Sequence, residues 1–248
     1  MNNIKEDLSQ YSGEEYYRRP LKLNLPEIRL NGNEGSFKRV VKVNNEYVVE
    51  DIGNELIGTI LRIRRKLVDY KEKISTSEHN HPNDIVTLFG ANDKGVAKEL
   101  RQKYQNLRTQ QILYFLLDTE ELVKVVVRGA SLGSENKPED SISFYDYLNS
   151  FEKDEHIWEY QTKLIPMPEK GKLGTYYAIS FEKANKIEDL TSVNDKKKEI
   201  SFVLKSQDEY YKLREEKDPE VIGKKEEKEN VPTVQIDDED TKAEDLPF

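Results

Sequence analysis

The sequence contains no cysteine, which excludes disulfide bonds, thiolate metal sites and cysteine nucleophiles. No run of about eighteen apolar residues occurs, so no membrane-spanning helix is expected. Residues 1–19 are polar and mixed in charge, and they lack the apolar stretch of a signal peptide. These absences predict a cytoplasmic protein.

Sequence patterns of catalysis are also scarce. The histidines His79, His81 and His156 have no metal-ligand spacing, and no phosphate-binding loop of the G-x-x-x-x-G-K-[ST] type occurs. The stretch from Gly129 to Gly133 superficially matches the G-x-S-x-G pattern of a nucleophile elbow, but we interpret it as a turn that ends a strand. We therefore expect a protein that is not an enzyme and that needs neither a cofactor nor a metal.

Charge is distributed unevenly along the chain. The formal net charge is −9, but residues 231–248 carry −5 and residues 215–230 carry −3, which leaves −1 for the first 214 residues. The body is thus close to neutral and the acidic residues concentrate in a tail. For this reason the negative total does not exclude a nucleic-acid partner.

The apolar pattern predicts a mainly β protein with helical insertions. Residues 55–70 alternate at period two and include Gly58, as in a strand that bends sharply within a barrel. The absence of regular βαβ alternation favours an antiparallel β-barrel. Further strands are predicted at 21–30, 37–43, 47–49, 84–89, 111–117, 122–127, 157–165 and 173–183, and helices at 94–105, 141–151 and 188–216. Hairpin turns are predicted at Asn44-Asn45, at 118–121 and at 166–172.

Four regions are predicted along the chain. Residues 1–19 form a flexible arm, and residues 20–187 form the β domain. Residues 188–217 form a helical segment rich in lysine and glutamate. Residues 218–248 have no apolar periodicity and are predicted to be a disordered acidic tail.

The end of the tail has the composition of a docking peptide. Asp245, Leu246, Pro247 and Phe248 follow an acidic run, and Phe248 carries a carboxylate beside its ring. A partner could bury the ring in an apolar pocket and pair the carboxylate with a cation. The upstream acidic residues would steer the peptide towards a basic pocket rim.

This ending resembles the C-terminal tip of bacterial single-stranded DNA-binding proteins, and some phage counterparts also end in an acidic run closed by phenylalanine. The resemblance covers about a dozen residues. It implies an OB-type β-barrel that coats and protects single-stranded DNA (ssDNA) in replication, recombination or repair. It also implies that residues 245–248 recruit a polymerase, helicase, primase or nuclease.

The body is longer than the bacterial proteins, which favours a divergent or phage-type member in a bacterial cell or a phage-infected host. Oligomeric state, site size and cooperativity stay open.

Nonspecific ssDNA binding requires cations for phosphates and aromatic faces for bases. Arg62, Arg64 and Lys66 share one strand face and could follow a phosphate backbone, or could be ordinary solubilising charge. Trp158 and Tyr160 are expected on one face of the strand predicted at 157–165, and Trp158 either stacks on bases or fills the core. The candidate DNA-binding residues are Arg62, Arg64, Arg65, Lys66, Arg101, Lys103, Arg108, Lys124, Arg128, Trp158, Tyr160, Lys163 and Tyr176.

Two other functions fit the same sequence. One is a replisome or phage scaffold that recruits partners through the tail without binding DNA. The other is a DNA-processing nuclease, which would need a metal-binding carboxylate cluster that the sequence does not reveal.

Overall fold

The computed structural model describes residues 25–44, 46–69, 74–75, 94–133, 140–171 and 174–217. The chain divides into two compact units. The larger contains residues 25–65 and 108–197, and the smaller contains residues 66–107 and 198–217. In this part of the chain no helix is long and apolar enough to cross a membrane.

The described residues are mainly β-structure. The strands are β1 (Glu27–Asn31), β2 (Ser36–Val43), β3 (Glu46–Asp51), β4 (Leu56–Asp69), β5 (Ile74–Ser75), β6 (Arg108–Leu117), β7 (Leu122–Arg128), β8 (Tyr160–Gly171) and β9 (Gly174–Lys186). The α-helices are α1 (Lys94–Lys103), α2 (Phe144–Asn149) and α3 (Thr191–Lys217). These elements confirm most of the predicted strands and all three predicted helices. The strand predicted at 84–89 lies outside the described residues.

The sheet has the order β3-β2-β1-β7-β6-β4-β8-β9, and β5 pairs with the end of β4. β1 and β7 are parallel, whereas the hairpins β1–β2, β2–β3, β6–β7 and β8–β9 are antiparallel. No pairing among the described residues joins β3 to β9. The mainly β fold with helical insertions is therefore confirmed, but the described residues form an open, mixed sheet and not a barrel.

The predicted turn between β2 and β3 is confirmed. Val43 pairs with Glu46, and Asn44 has a φ of 50°. Asparagine tolerates this left-handed conformation better than most residues because its side chain can hydrogen-bond locally.

The long strand predicted at 55–70 is confirmed as β4, and its glycine has a packing reason. A Cβ atom on Gly58 would overlap the carbonyl oxygen of Leu116 and the ring of Phe115 on the neighbouring strand β6. Gly58 thus permits the close approach of β4 to β6.

The predicted hairpin at 157–183 is confirmed, but its turn lies later in the chain. Pro166 and Pro168 were expected in the turn, yet both lie in β8, where they pair with Ile179 and Tyr177. The pairing of β8 with β4 extends only from Thr162 to Leu164. Beyond that point one edge of β8 has no pairing with β4, so it tolerates residues that lack an N–H group.

The core of the larger unit lies between the sheet and α2. Phe144 and Tyr147 of α2 pack against Phe181 of β9, with ring centroids 5.4 and 5.7 Å apart. The hydroxyls of Tyr147 and Thr162 share a buried hydrogen bond of 2.7 Å, and burial raises the pKa of Tyr147 to about 12. The N-terminus of α2 is capped by Ser143, whose hydroxyl oxygen accepts a hydrogen bond from the backbone N–H of Asp146.

The smaller unit has its own apolar cluster. Ala97 and Leu100, three residues apart on α1, pack with Leu67 and Leu107, and Tyr104 lies against them. This spacing places both helix residues on one face.

Candidate nucleic-acid interface

Trp158 lies in a short 3₁₀ turn, Ile157–Glu159, immediately before β8. The expectation that Trp158 and Tyr160 share a strand face is therefore wrong, because only Tyr160 belongs to the strand. Trp158 is half-buried and does not belong to the main apolar cluster of the larger unit. It is thus neither a core residue nor a strand-borne platform.

Both faces of the Trp158 ring are occupied. The His156 ring stacks on it with a centroid distance of 4.4 Å and an interplanar angle of 9°. The Nζ atom of Lys197 lies 2.9 Å from the Trp158 centroid. An ammonium and a parallel ring at these distances cannot share one face without overlap, so they lie on opposite faces. A base could stack on Trp158 only by displacing one of them.

Lys197 is half-buried against Trp158. Its pKa is lowered, first by burial and then by the charge of Arg62, while Glu159 acts in the opposite direction. Arg62 lies on β4, four residues beyond Gly58, where the pairing of β4 with Thr162 of β8 ends.

Tyr160 is buried and already bonded. Its hydroxyl donates to Glu155, which also accepts from Lys183. Lys183, followed by Tyr160 and the backbone N–H of Glu152, lowers the pKa of Glu155 to about 2. The hydrogen bond to Glu155, followed by burial, raises the pKa of Tyr160 to about 12. Tyr160 therefore acts as a support for neighbouring groups and offers no open face for a base.

A second lysine lies near Tyr160. Lys186 pairs with Tyr160 across β8 and β9, and its Nζ atom is 5.6 Å from the centroid of the Tyr160 ring. We call Arg62, Trp158, Tyr160, Lys186 and Lys197 the Trp158 patch.

The cations of the Trp158 patch differ from Lys183 in their ion pairing. Within the described ranges, Arg62, Lys186 and Lys197 form no ion pair, whereas Lys183 at the edge of the patch is paired with Glu155. Arg62 and Lys186 are exposed and Lys197 is half-buried. Cations that form no ion pair with a carboxylate can contact an external anion without first breaking such a pair.

Two of the predicted DNA-binding side chains, Arg64 and Lys124, are buried, which disfavours direct contacts with DNA. Arg64 is 5% exposed and Lys124 is 5% exposed. Lys124 lies in register between Glu27 of β1 and Tyr114 of β6, within the sheet. Arg62, Arg64 and Lys66 were expected on one face of β4. Arg62 is exposed, but Arg64, the next residue on that face, is buried, so the three cations do not form a continuous exposed row.

Other predicted residues are engaged in contacts within the larger unit. Lys163 forms a 2.6 Å ion pair with Glu55. Tyr176 donates a 2.7 Å hydrogen bond to the buried Glu169, and burial followed by this bond raises the pKa of Tyr176. A carboxylate at this position disfavours a phosphate nearby. Arg65 and Arg128 are half-buried and each already makes a polar, ionic or ring contact, whereas Arg108 is exposed at the start of β6.

Three predicted residues belong to the smaller unit. Lys66 is half-buried in β4, and Arg101 and Lys103 are exposed in the last turn of α1. The Nζ atom of Lys103 lies 5.2 Å from the centroid of the Tyr104 ring.

No family model, curated protein or solved structure matches the chain. The described residues contain no group of three or more histidine or acidic side chains that could hold a metal ion. Asp245, Leu246, Pro247 and Phe248 lie outside the described residues, so their predicted role stays a prediction.

Sequence reasoning missed Lys186, Lys197 and His156. Lys186 pairs with Tyr160 only because the register shifts between Tyr160 and Thr162, so a period-two pattern did not place it there. Lys197 reaches Trp158 from a helix, and no local pattern shows that contact. The exposed aromatic residues Tyr47 and Tyr145 were also missed; their exposed fractions are 44% and 42%.

Proposed function

We propose that the protein binds ssDNA through the Trp158 patch and recruits replication or repair proteins through Asp245 to Phe248. The observation that carries the DNA-binding part is that Lys186 and Lys197 lie beside Tyr160 and Trp158 at the start of β8. Like the exposed Arg62 of the neighbouring strand β4, they form no ion pair with a carboxylate among the described residues. Phosphate contacts of this kind supply most of the affinity in nonspecific binding of nucleic acids.

The proposal includes an OB-type relationship for the β domain. It is supported by β4, a 14-residue strand with a close-packed glycine in a mainly antiparallel sheet. Nucleic-acid binding by OB folds uses the strand surface together with adjacent loops. The Trp158 patch has this character, because it combines strand residues with a turn and a helix.

The partner-binding part rests on the sequence of residues 237–248. This stretch combines an acidic run with Leu246, Pro247 and Phe248. An apolar anchor behind acidic residues suits a basic-rimmed apolar pocket in a partner.

One observation favours the scaffold function as a second candidate. Tyr160 is buried and both faces of Trp158 are covered, so these two aromatic residues offer no open stacking surface. A scaffold that does not bind DNA needs none. Oligonucleotide binding separates the two functions directly.

The test is a titration of labelled oligo-dT by fluorescence anisotropy, with duplex DNA of the same length as the comparison. We expect preferential binding of the single strand. Replacing Arg62 or Lys186 by alanine should reduce the log–log salt dependence by about 0.7 for each phosphate interaction that the substitution removes. Lys205→Ala is the matched control, because Lys205 is an exposed lysine of α3 that faces Glu209 at 3.8 Å.

Three other outcomes of the oligonucleotide titration would contradict parts of the proposal. Absence of oligonucleotide binding by the intact chain would favour the scaffold. Equal salt slopes for Arg62→Ala, Lys186→Ala and Lys205→Ala would remove the Trp158 patch from the interface. Cleavage of the oligonucleotide that depends on Mg²⁺ would instead identify a nuclease.

A further inference from the structure

The two outer edges of the sheet differ in how they are covered. Along β9, the N–H groups of Ile179 and Phe181 donate to the hydroxyl oxygen of Ser131 and the carbonyl oxygen of Ile142, at 2.8 and 2.9 Å. The opposite edge of the sheet is β3, and no strand among the described residues pairs with its outer side. An uncovered edge offers backbone donors and acceptors to a further strand.

The strand β3 exposes apolar side chains on both of its faces. All six of its residues are exposed. Val48 and Val49 have exposed fractions of 42% and 51%, and successive residues of a strand point to opposite faces. The strand contains no lysine or proline, and its register with β2 is continuous, so it lacks several features that commonly protect an edge.

The pairing with β2 determines which backbone groups of β3 point outward. The N–H group of Ile52, directly after β3, donates to the carbonyl oxygen of Phe37 at 2.9 Å, so the backbone groups of Ile52 face β2. This direction alternates along an antiparallel strand, and the register from Asp51 back to Glu46 has no shift. The backbone groups of Val48 therefore also face β2, whereas those of Val49 face outward.

Two acidic residues of β3 are paired with cations of β2. Asp51 lies 2.8 Å from Nζ of Lys38, and Glu50 lies 3.6 Å from a guanidinium nitrogen of Arg39. These ion pairs reduce the repulsion that the two carboxylates would exert on another acidic strand. A second copy of β3 can therefore approach the edge at a lower electrostatic cost.

The sequence of β3 is self-complementary in one antiparallel register. A two-fold axis at Val49 places Val49 opposite its own copy and Val48 opposite Glu50, with no two acidic residues directly opposite each other. An axis at Val48 would place Glu46 opposite Glu50, and an axis at Glu50 would place that residue opposite itself. Like charges directly opposite destabilise a pair of strands, so the axis at Val49 is favoured.

We propose that β3 pairs antiparallel with β3 of a second copy of this chain, with the two-fold axis at Val49. The two sheets then form one continuous sheet. The proposal does not depend on DNA binding. Because a single pair of six-residue strands buries less surface than the roughly 1,200 Å² of a typical stable interface, the dimer should dissociate on dilution.

Sedimentation velocity tests the dimer at chain concentrations from micromolar to near-millimolar. We expect the intact chain to shift from monomer to dimer over this range. Val49→Lys should remain a monomer, because two ammonium groups would meet at the axis, and its circular dichroism should match that of the intact chain because Val49 is exposed. Phe202→Lys is the matched control, since it replaces an exposed apolar residue of α3 and should dimerise like the intact chain.

Disulfide trapping tests the register, and the absence of native cysteine makes a single added thiol specific. In the proposed pair the two Val49 Cα atoms are about 5.5 Å apart, which a disulfide spans, whereas the two Val48 positions are diagonal neighbours about 7–8 Å apart. Val49→Cys should therefore form a covalent dimer on mild oxidation much faster than Val48→Cys. This comparison also decides the question if Val49→Lys fails to fold.

Four results would overturn the proposal. One is an intact chain that stays monomeric at all concentrations, which would leave the edge of β3 to a strand of another protein. The second is dimerisation of folded Val49→Lys, and the third is loss of the dimer in Phe202→Lys. The fourth is trapping of Val48→Cys as fast as Val49→Cys.

Discussion

The hydroxyl of Tyr160 donates a 2.6 Å hydrogen bond to Oε1 of Glu155, and the same carboxylate accepts from Lys183 at 2.6 to 2.7 Å. This arrangement joins the first residue of β8, a residue of β9 and the loop before the 3₁₀ turn that carries Trp158. The Nζ atom of Lys183 also lies 4.2 Å from the centroid of the Tyr160 ring. The carboxylate thus helps to hold the base of the Trp158 patch.

The first prediction concerns acid stability. The pKa of Glu155 is about 2 in the folded chain, below the ordinary value of 4.5, so its ionised form stabilises the fold fully above pH 4.5. This stabilisation should be lost as the pH falls from about 4.5 to about 2. Glu155→Gln should therefore be less stable than the unaltered chain at pH 7, and the difference should shrink across that window. Urea unfolding at several pH values measures it.

Lys183→Met provides the control for this assignment. Because Lys183 is the main cause of the lowered pKa, its removal should abolish most of the same pH dependence. A stability difference between Glu155→Gln and the unaltered chain that stays constant from pH 7 to pH 3 would contradict the prediction.

The second prediction concerns Gly58. An alanine side chain there would overlap the backbone oxygen of Leu116 and the ring of Phe115, and the backbone cannot yield as a flexible side chain does. We expect Gly58→Ala to lower the free energy of unfolding by roughly 1–3 kcal/mol. Gly133→Ala is the matched control, because the nearest neighbour of its added Cβ would be a side-chain atom of Tyr145 at 3.6 Å, an ordinary van der Waals distance. Equal stability of the two variants would disprove the close approach of β4 and β6.

The third prediction separates two arginines of one strand. Arg64 is 5% exposed and is engaged in contacts, so Arg64→Ala should cost roughly 1–3 kcal/mol of stability by leaving buried polar groups unsatisfied. Arg62 is exposed, so Arg62→Ala should change stability by at most about 0.5 kcal/mol. Only Arg62→Ala should flatten the salt dependence of oligonucleotide binding. The reverse assignment of the two effects would show that Arg64 is the DNA contact.

The fourth prediction concerns the acidic tail. Phe248→Ala should leave thermal unfolding and oligo-dT affinity unchanged while removing most of the affinity for the recruited protein, because burial of a phenylalanine side chain is worth about 1.5–3 kcal/mol. Affinity capture with the intact chain and with Phe248→Ala, followed by mass spectrometry, identifies proteins that depend on this residue. Thr241→Ala in the same tail is the control. Recovery of the same replication proteins by all three baits would contradict the prediction.

Deletion of residues 237–248 should have a further effect. This stretch carries the same sign of charge as DNA and is tethered to the body, so it can compete for the Trp158 patch at high effective concentration. The deletion should tighten oligonucleotide binding, most clearly at low salt. Weaker binding after the deletion would show that the tail contributes to the fold or to the interface.

The sequence by itself determined most of the secondary structure. The alternation around Gly58 predicted β4, and the two asparagines at 44 and 45 predicted the β2–β3 turn. The helices were recognisable for the same reason, since local periodicity reports which face of an element is buried. The turn of the β8–β9 hairpin was placed too early, because prolines usually mark turns and only the sheet edge explains why Pro166 and Pro168 fit within β8.

Only the tertiary structure decided which cations are available to a ligand. Arg62 and Arg64 have the same parity on the same strand, yet one is exposed and the other is buried, because exposure depends on what packs over each position. Likewise, the two faces of Trp158 are covered by a histidine two residues earlier and a lysine 39 residues later. A local pattern specifies the direction of a side chain relative to its own strand. The neighbours that it meets there are set by contacts between residues far apart in the chain.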